Sequence, residues 1–244
     1  MDAPRRTPRT GPANPAAATA AHSPGWPEVL AAAAAYVAAF GLVAWLLPMV
    51  ADDAVRGIVG LLVSGAMGLL AFAAAWLVRR RGLSAFGIRA ARPGQLALGA
   101  LLGVGAYLVG TALSVMFILA TGFEENVQAS YQAGAAAGAL GLVLSILAGA
   151  VLTPLGEEFA FRWVLTSALL AKLPVWVAIV LGAAVFALAH GINPVLPTAF
   201  VVGLVSGVMF HRTGSIWPSV MVHAGNNVVA LLVPLLAATL APSA

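Results

Sequence analysis

Three short polar groups interrupt the apolar second half of this 244-residue chain. In order they read Glu157-Glu158-Phe-Ala-Phe-Arg162, then Phe186-Ala-Leu-Ala-His190, then His223-Ala-Gly-Asn-Asn227. An ionisable side chain at the centre of an apolar span costs about 2.5–3.5 kcal/mol on insertion scales, so each one needs a partner or a function. These groups are therefore the candidates for chemistry.

The spacing within the groups places polar side chains on shared helix faces. Glu158 and Arg162 lie four residues apart, so they share a face and can form an ion pair. His223 and Asn227 have the same spacing. Glu157 points about 100° away from Glu158 and is free to face another helix. Because two carboxylates share one arginine, one carboxylate lacks a compensating charge, which favours a functional site over a structural ion-pair patch.

Together these residue types are the parts of a hydrolytic site. A carboxylate and two imidazoles can bind Zn²⁺ with an open position for water, or can hold a water without a metal. A glutamate in a water-poor cavity can act as a general base. A histidine and an asparagine on one face, such as His223 and Asn227, can hydrogen-bond a developing oxyanion. Arg162 would compensate the charge of the second carboxylate.

Distances along the chain predict that the first two groups meet. Leu173-Pro174 is typical of the turn in a helical hairpin, with Glu157 16 residues before Leu173 and His190 17 residues after it. At 1.5 Å per residue both lie about 24–26 Å from the turn, so the carboxylate and the imidazole are expected at similar heights. His223 reaches that height only if the hairpin extends into the cytoplasm by about 10 Å.

The composition indicates that membrane helices position these groups. Hydrophobic residues make up 61% of the chain and charged residues only 8%, whereas soluble domains are about 25% charged. The absence of cysteine excludes disulfides and thiolate chemistry. Apolar runs near the roughly 20 residues that cross a bilayer predict an all-α integral membrane protein with a bundle of about seven transmembrane helices. The predicted segments are 29–50, 55–78, 95–120, 136–171, 174–190, 196–211 and 216–240, with longer connections at 79–94 and 121–135.

The arginines predict how the chain is oriented. Residues 1–27 are expected to form a disordered cytoplasmic tail, followed by a polytopic membrane domain over 28–244. The arginines between 79 and 92 then fall on the tail's side and Glu124 on the opposite side, as the positive-inside rule requires. We expect a multi-pass protein of the plasma membrane, with the lipid bilayer as its partner. Because the basic residues flank apolar runs, no nucleic-acid partner is predicted.

The three groups resemble the motifs of a known family. EExxxR, FxxxH and HxxxN, in that order on successive apolar segments, resemble the CPBP family of intramembrane metalloproteases. That family, also called Abi, groups type II CAAX prenyl proteases with bacteriocin-processing and immunity proteins. The resemblance covers about residues 140–235 and is especially close from Ser215 to Asn227. It implies that Glu158 and Arg162 are the pair that supports the first motif.

The resemblance also implies roles for the remaining motif residues. Glu157 would activate a water together with His190. His223 and Asn227 would stabilise the oxyanion, or His223 would join Glu157 and His190 as ligands of a zinc ion. Zinc dependence and a metal-free glutamate mechanism both stay open.

The function that the sequence predicts is endopeptidase activity within the membrane, on a membrane-anchored peptide or protein substrate. Prenylated CAAX proteins are not expected as the natural substrate, since nothing in the chain indicates a host that makes them. One alternative is a non-catalytic immunity or partner-binding protein, which would tolerate loss of Glu157. A transporter is a weaker alternative, because the sequence has no internal repeat and no paired broken helices.

Overall fold

The computed structural model describes residues 23–79 and 88–240, which contain helices and no strand. Eight helices occur within these ranges, and the fifth runs continuously from Gly138 to Leu170. They are α1 (Trp26–Leu46, extended by a 3₁₀ turn at Leu47–Met49), α2 (Asp53–Val78), α3 (Pro93–Thr121), α4 (Ala129–Ala136), α5 (Gly138–Leu170), α6 (Val175–Leu188), α7 (Val195–Thr213) and α8 (Trp217–Leu240).

The predicted membrane bundle is confirmed. Within the described ranges, six helices are long and apolar enough to cross a bilayer, namely α1 with its 3₁₀ turn, α2, α3, α5, α7 and α8. Helix α6 is apolar but shorter. The outward surface carries large apolar side chains, as a lipid-facing surface would; Leu101 is 70% exposed and Leu119 is 80% exposed.

Some predicted boundaries differ from the structure. The connection predicted at 121–135 is wrong in part, because Ala129–Ala136 forms the short helix α4. Helix α1 begins at Trp26, inside the predicted tail, with Pro27 in its first turn, where proline's fixed backbone angle is tolerated. Residues 1–22, which hold most of that tail, and Arg80 and Arg81 of the predicted cytoplasmic loop lie outside the described residues.

Helix α5 continues past the two glutamates, as predicted, but its turns are not uniform. Leu147–Leu152 and Phe159–Thr166 are π-helical, and the regular turns of Thr153–Glu158 lie between them. In such wide turns some backbone carbonyls lack the usual helical hydrogen bond from the amide four residues later. Thr166 Oγ1 donates to one carbonyl of this stretch, that of Phe161, at 2.8 Å. The two wide stretches thus flank Pro154 and the glutamates, and π-helical turns are frequent at functional sites.

Helices α2 and α5 approach each other backbone to backbone at the level of the glutamates. Gly65 and Gly68 of α2 face Gly156 of α5, and a Cβ atom on any of the three would collide with the opposite backbone. Thr153 Oγ1 also donates to the Leu61 carbonyl at 2.7 Å. Small residues permit such close packing of membrane helices, so α5 is held firmly just before Glu157.

Glycines hold α8 against α3 in the same way. A Cβ atom at Gly103 of α3 would collide with the Val222 carbonyl, and one at Gly225 of α8 would contact the Ala100 carbonyl at 2.5 Å. His223 lies directly after Val222. The third motif is therefore carried by a helix whose distance from its neighbour is fixed by backbone contact.

We expect Gly156→Ala to lower the midpoint of thermal unfolding in detergent micelles. The added methyl group would overlap the Gly65 carbonyl, and overpacking of this kind costs about 1–3 kcal/mol. Gly105→Ala is the matched control, since a Cβ atom there meets nothing within 4 Å. Alanine favours a helix over glycine by about 0.8–1.0 kcal/mol, so the control should hold or raise the midpoint. Equal midpoints for the two variants would contradict the α2–α5 contact.

Candidate active site

The two carboxylate oxygens of Glu157 have different surroundings. Its side chain is almost fully buried, and its Oε1 accepts a hydrogen bond from Ser64 Oγ at 2.6 Å. Its Oε2 lies 3.7 Å from His190 Nε2 and 3.8 Å from His223 Nε2. No described residue donates a hydrogen bond to that oxygen. One carboxylate oxygen and two imidazole nitrogens therefore converge, and the predicted opposition of Glu157 and His190 is confirmed.

The hydrogen bond of His190 defines its tautomer. Its Nδ1 lies 2.9 Å from the carbonyl oxygen of Phe186, one turn earlier. Because a carbonyl only accepts, Nδ1 must carry a proton, and in the neutral ring the Nε2 lone pair then faces Glu157. His190 lies two residues after the end of α6, in a turn where Asn193 Nδ2 donates to the His190 carbonyl at 2.7 Å. That turn holds the imidazole in place.

Glu158 links His223 to Arg162. Its Oε1 lies 3.2 Å from His223 Nδ1, and its Oε2 lies 3.2 Å from Arg162 Nε. All three side chains are buried. A carboxylate Glu158 accepts from His223 and forms an ion pair with Arg162, so His223 also carries its proton on Nδ1 and presents Nε2 toward Glu157. The predicted Glu158–Arg162 ion pair is present and orients a second imidazole.

The ring of Phe186 contacts both imidazoles and Arg162. Its ring packs edge-on against His190, with ring centroids 4.7 Å apart, and against His223, with centroids 5.5 Å apart. The guanidinium carbon of Arg162 lies 4.1 Å from the centroid of the same ring. A cation over an aromatic face is attracted to it. The first residue of the FxxxH motif thus positions both imidazoles and supports the arginine.

Asn227 lies one turn beyond His223, and both ends of its side-chain amide form hydrogen bonds within the protein. Its Nδ2 donates to the carbonyl of Gly149 at 2.7 Å, and its Oδ1 accepts from Asn226 Nδ2 at 2.9 Å. Gly149 belongs to the first π-helical stretch of α5. The side chain therefore satisfies a carbonyl in a wide turn, and its role at an oxyanion stays a prediction.

Ser64 is the contact that the sequence reasoning missed. It lies on α2, 93 residues before Glu157, and a single serine in an apolar helix gives no periodic signal. A weaker signal exists in its surroundings, since Gly60, Gly65 and Gly68 mark one side of α2 as a close-packing surface. A polar residue beside such a surface can reach the neighbouring helix.

The donor atoms stand somewhat farther apart than the ligands of a regular tetrahedral zinc site. Ligand atoms about 2.0–2.1 Å from a tetrahedral zinc lie about 3.3 Å from each other, whereas the Oε2–Nε2 distances are 3.7 and 3.8 Å. Within residues 23–79 and 88–240, no group of three or more His, Cys, Asp or Glu side chains is arranged to hold a metal ion. The predicted ligand set Glu157, His190 and His223 stays a prediction.

A cavity of about 530 Å³ lies beside these groups, between α1, α5 and α6. Ala189 and Gly191, the neighbours of His190, line it, as does Phe161, whose ring packs edge-on against Phe186. Of the described residues in its lining, Tyr36 alone has a polar side chain. Ligand cavities in proteins have this size and a mostly apolar lining.

Comparison with known proteins identifies a family for the segment that carries the three motifs. Residues 138–229 match the family model described as type II CAAX prenyl endopeptidase Rce1-like. The chain carries an Rce1-like domain. The match confirms the resemblance to CPBP and CAAX proteases, and its limits lie close to those predicted for the core, 140–235. No curated protein and no solved structure matches the chain.

The Rce1-like domain contains all six predicted site residues. These are Glu157, Glu158, Arg162, His190, His223 and Asn227. At the level of its family, the domain is that of a CAAX-protease-like intramembrane endopeptidase. Ser64 lies outside the matched segment, although it contacts the first of the six.

We expect Arg162→Met to destabilise the fold strongly, because Glu158 would stay buried without its cation. Removing one partner of a buried ion pair costs about 3–5 kcal/mol. The double variant Glu158→Gln/Arg162→Met should lose less stability than the two single losses added together, since these side chains interact directly. Thermal unfolding in detergent would measure all three variants.

Asp53→Asn provides the control for that cycle. It breaks the ion pair with Arg56, in which Asp53 is 69% exposed, and exposed pairs contribute about 0–1 kcal/mol. Strictly additive losses at Glu158 and Arg162 would contradict the buried pair.

Proposed function

We propose that this chain hydrolyses a peptide bond in a membrane-associated peptide or protein, using a water activated by Glu157 and His190. The observation that carries the proposal is the convergence of Glu157 Oε2 with the Nε2 atoms of His190 and His223. Two atoms 3.7 Å apart can share one water at hydrogen-bond distance from both. A protease family match over the same residues supports this reading.

In the proposed first step, the water oxygen attacks the carbonyl carbon of the scissile bond. Glu157 Oε2 takes one proton from the water, and the other O–H is held by His190 Nε2. The electron pair of the carbonyl π bond moves to the carbonyl oxygen, which becomes an oxyanion. Ser64 on Glu157 Oε1 and the Phe186 carbonyl on His190 Nδ1 hold the two groups in position.

In the second step, the oxyanion is stabilised and then collapses. His223 in its protonated form donates from Nε2, and Glu158 stabilises that form through Nδ1. Asn227 can contribute if its amide exchanges the Gly149 carbonyl for the oxyanion. The carbonyl re-forms, the C–N bond breaks, and Glu157 transfers its proton to the leaving amine. The products are a carboxylic acid and an amine, and Glu157 is regenerated.

The apolar cavity beside the site supports a substrate that comes from the membrane. Its lining offers no charged side chain among the described residues, so it favours apolar groups over polar ones. Ala32, Ala71 and Ala160 form a buried part of the lining, while Val37 and Phe40 on its rim are exposed at the outer surface of the bundle. A membrane-anchored peptide could therefore place apolar groups there.

We expect Glu157→Gln to abolish cleavage of membrane-anchored peptides by purified protein in lipid vesicles. General base catalysis typically contributes about 10²–10⁴-fold, and glutamine cannot accept the proton. Glu124→Gln makes the same chemical change at an exposed loop position and should keep wild-type activity. Cleavage by neither wild type nor variant across a mixed peptide library would overturn the proposal and favour a non-catalytic immunity or partner-binding role.

Zinc content and chelator sensitivity, read on the same samples, address the mechanism. Cleavage by metal-free protein that persists in chelator would support the glutamate mechanism. Stoichiometric zinc that is lost in Glu157→Gln, with activity lost on chelation, would instead support the zinc set Glu157, His190 and His223. The side chains would then have to close around the ion.

We also propose that the N-terminus lies in the cytoplasm, as the positive-inside rule predicts. Arg92 and Glu124 flank α3 at opposite ends, and both are exposed. Since the chain has no cysteine, Arg92→Cys and Glu124→Cys each introduce a single reactive thiol. A membrane-impermeant thiol reagent should label Glu124→Cys in intact cells. It should label Arg92→Cys only after the membrane has been permeabilised. The reverse pattern would invert the topology.

A further inference from the structure

We propose that Ser64 is a positioning residue for the general base, holding the carboxylate of Glu157 so that one of its oxygens points at the two histidines. The inference rests on the proposed function for its catalytic meaning. Its structural basis is the 2.6 Å hydrogen bond from Ser64 Oγ to Glu157 Oε1. Neither the three motifs nor the family match includes this residue.

The bond makes the two ends of the carboxylate unequal. Without a hydrogen bond to one oxygen, the carboxylate could rotate about its last bond and turn both oxygens away from the histidines. With Oε1 held by Ser64, Oε2 is left 3.7 Å from His190 Nε2 and 3.8 Å from His223 Nε2. No described residue donates to Oε2, so this oxygen stays available to take a proton from water.

Ser64 reaches Glu157 because the two helix backbones are in contact there. Gly65 is the next residue on α2, and Gly156 is the residue before Glu157. A Cβ atom at Gly156 would collide with the Gly65 carbonyl, and one at Gly65 would collide with the Leu152 carbonyl. Gly68, one turn further on, meets the backbone at Gly156 and Glu157. The hydroxyl is thus delivered from a rigid element, as accurate positioning of a reacting group requires.

The competing explanation is that Ser64 only fastens α2 to α5. Thr153 provides the matched control, since its hydroxyl joins the same helices at the Leu61 carbonyl, 2.7 Å away, and touches neither carboxylate. Thr153→Val removes that interhelical bond while keeping the shape of the side chain. If fastening were the whole role, Ser64→Ala and Thr153→Val would have similar effects.

The kinetic test compares Ser64→Ala, Ser64→Thr and Thr153→Val in lipid vesicles. Misplacement of a reacting group by about 1 Å can cost about 100-fold, so we expect Ser64→Ala to lower kcat about 10- to 100-fold with KM unchanged. Ser64→Thr keeps the hydroxyl and should restore most of kcat, while Thr153→Val should stay near wild type. Equal kcat for Ser64→Ala and wild type, or an equal loss in Thr153→Val, would overturn the proposal.

An infrared measurement tests the same bond without any substrate. Subtracting the spectrum of Glu157→Gln from that of wild type isolates the carboxyl band of Glu157. The same subtraction in a Ser64→Ala background should give a shifted band, and in a Ser64→Thr background an unshifted one. A Glu157 band at the same frequency in the wild-type and Ser64→Ala backgrounds would overturn the inference. If wild type cleaves no peptide while the band still responds to Ser64, the proposed function fails and the positioning of Glu157 by Ser64 stands.

Discussion

Two adjacent carboxylates buried in an apolar helical bundle are the constraint on which the rest of the structure depends. A buried charge is costly unless it is paired and hydrogen-bonded, and Glu157 and Glu158 are both almost fully buried. The structure treats them differently, because successive helical residues point about 100° apart. Glu158 is compensated by Arg162 and His223, whereas Glu157 has one oxygen held and one directed at two imidazoles. Neighbours in sequence thus have separate surroundings, and only Glu157 keeps an oxygen directed at both imidazoles.

Contact between helix backbones maintains this arrangement. Glycines fix α2 against α5 beside the glutamates, and α3 against α8 beside His223. Helices α2 and α3 both precede the matched segment 138–229. The supporting half of the bundle is therefore part of the site, since it sets the distance between the helices that carry the motifs and also supplies Ser64.

The sequence predicted most of the bundle and the meeting of its motifs, for identifiable reasons. Uncharged apolar runs of about 20 residues are typical of transmembrane helices, so the sequence predicted the membrane spans directly. The constant rise per residue of a helix predicted that His190 lies opposite Glu157. Ser64 was missed because its partner lies 93 residues away and its own helix pattern is uniform. The bond from Asn227 to α5 depends on π-helical turns, which apolar periodicity does not reveal. The short helix in 121–135 was missed because its alanine- and glycine-rich sequence has no clear amphipathic pattern.

The shortness of α6 has a consequence for how water arrives. Its 14 residues extend about 21 Å, which is less than the roughly 30 Å of a hydrocarbon core. With Val175 at or beyond one membrane surface, the turn at His190 would lie within the thickness of the bilayer. Non-helical backbone at that depth is tolerated where it is enclosed by protein or lines a hydrated space. The end of α6 would therefore give water a short path into the bilayer, and that path would end at the turn that carries His190, beside Glu157.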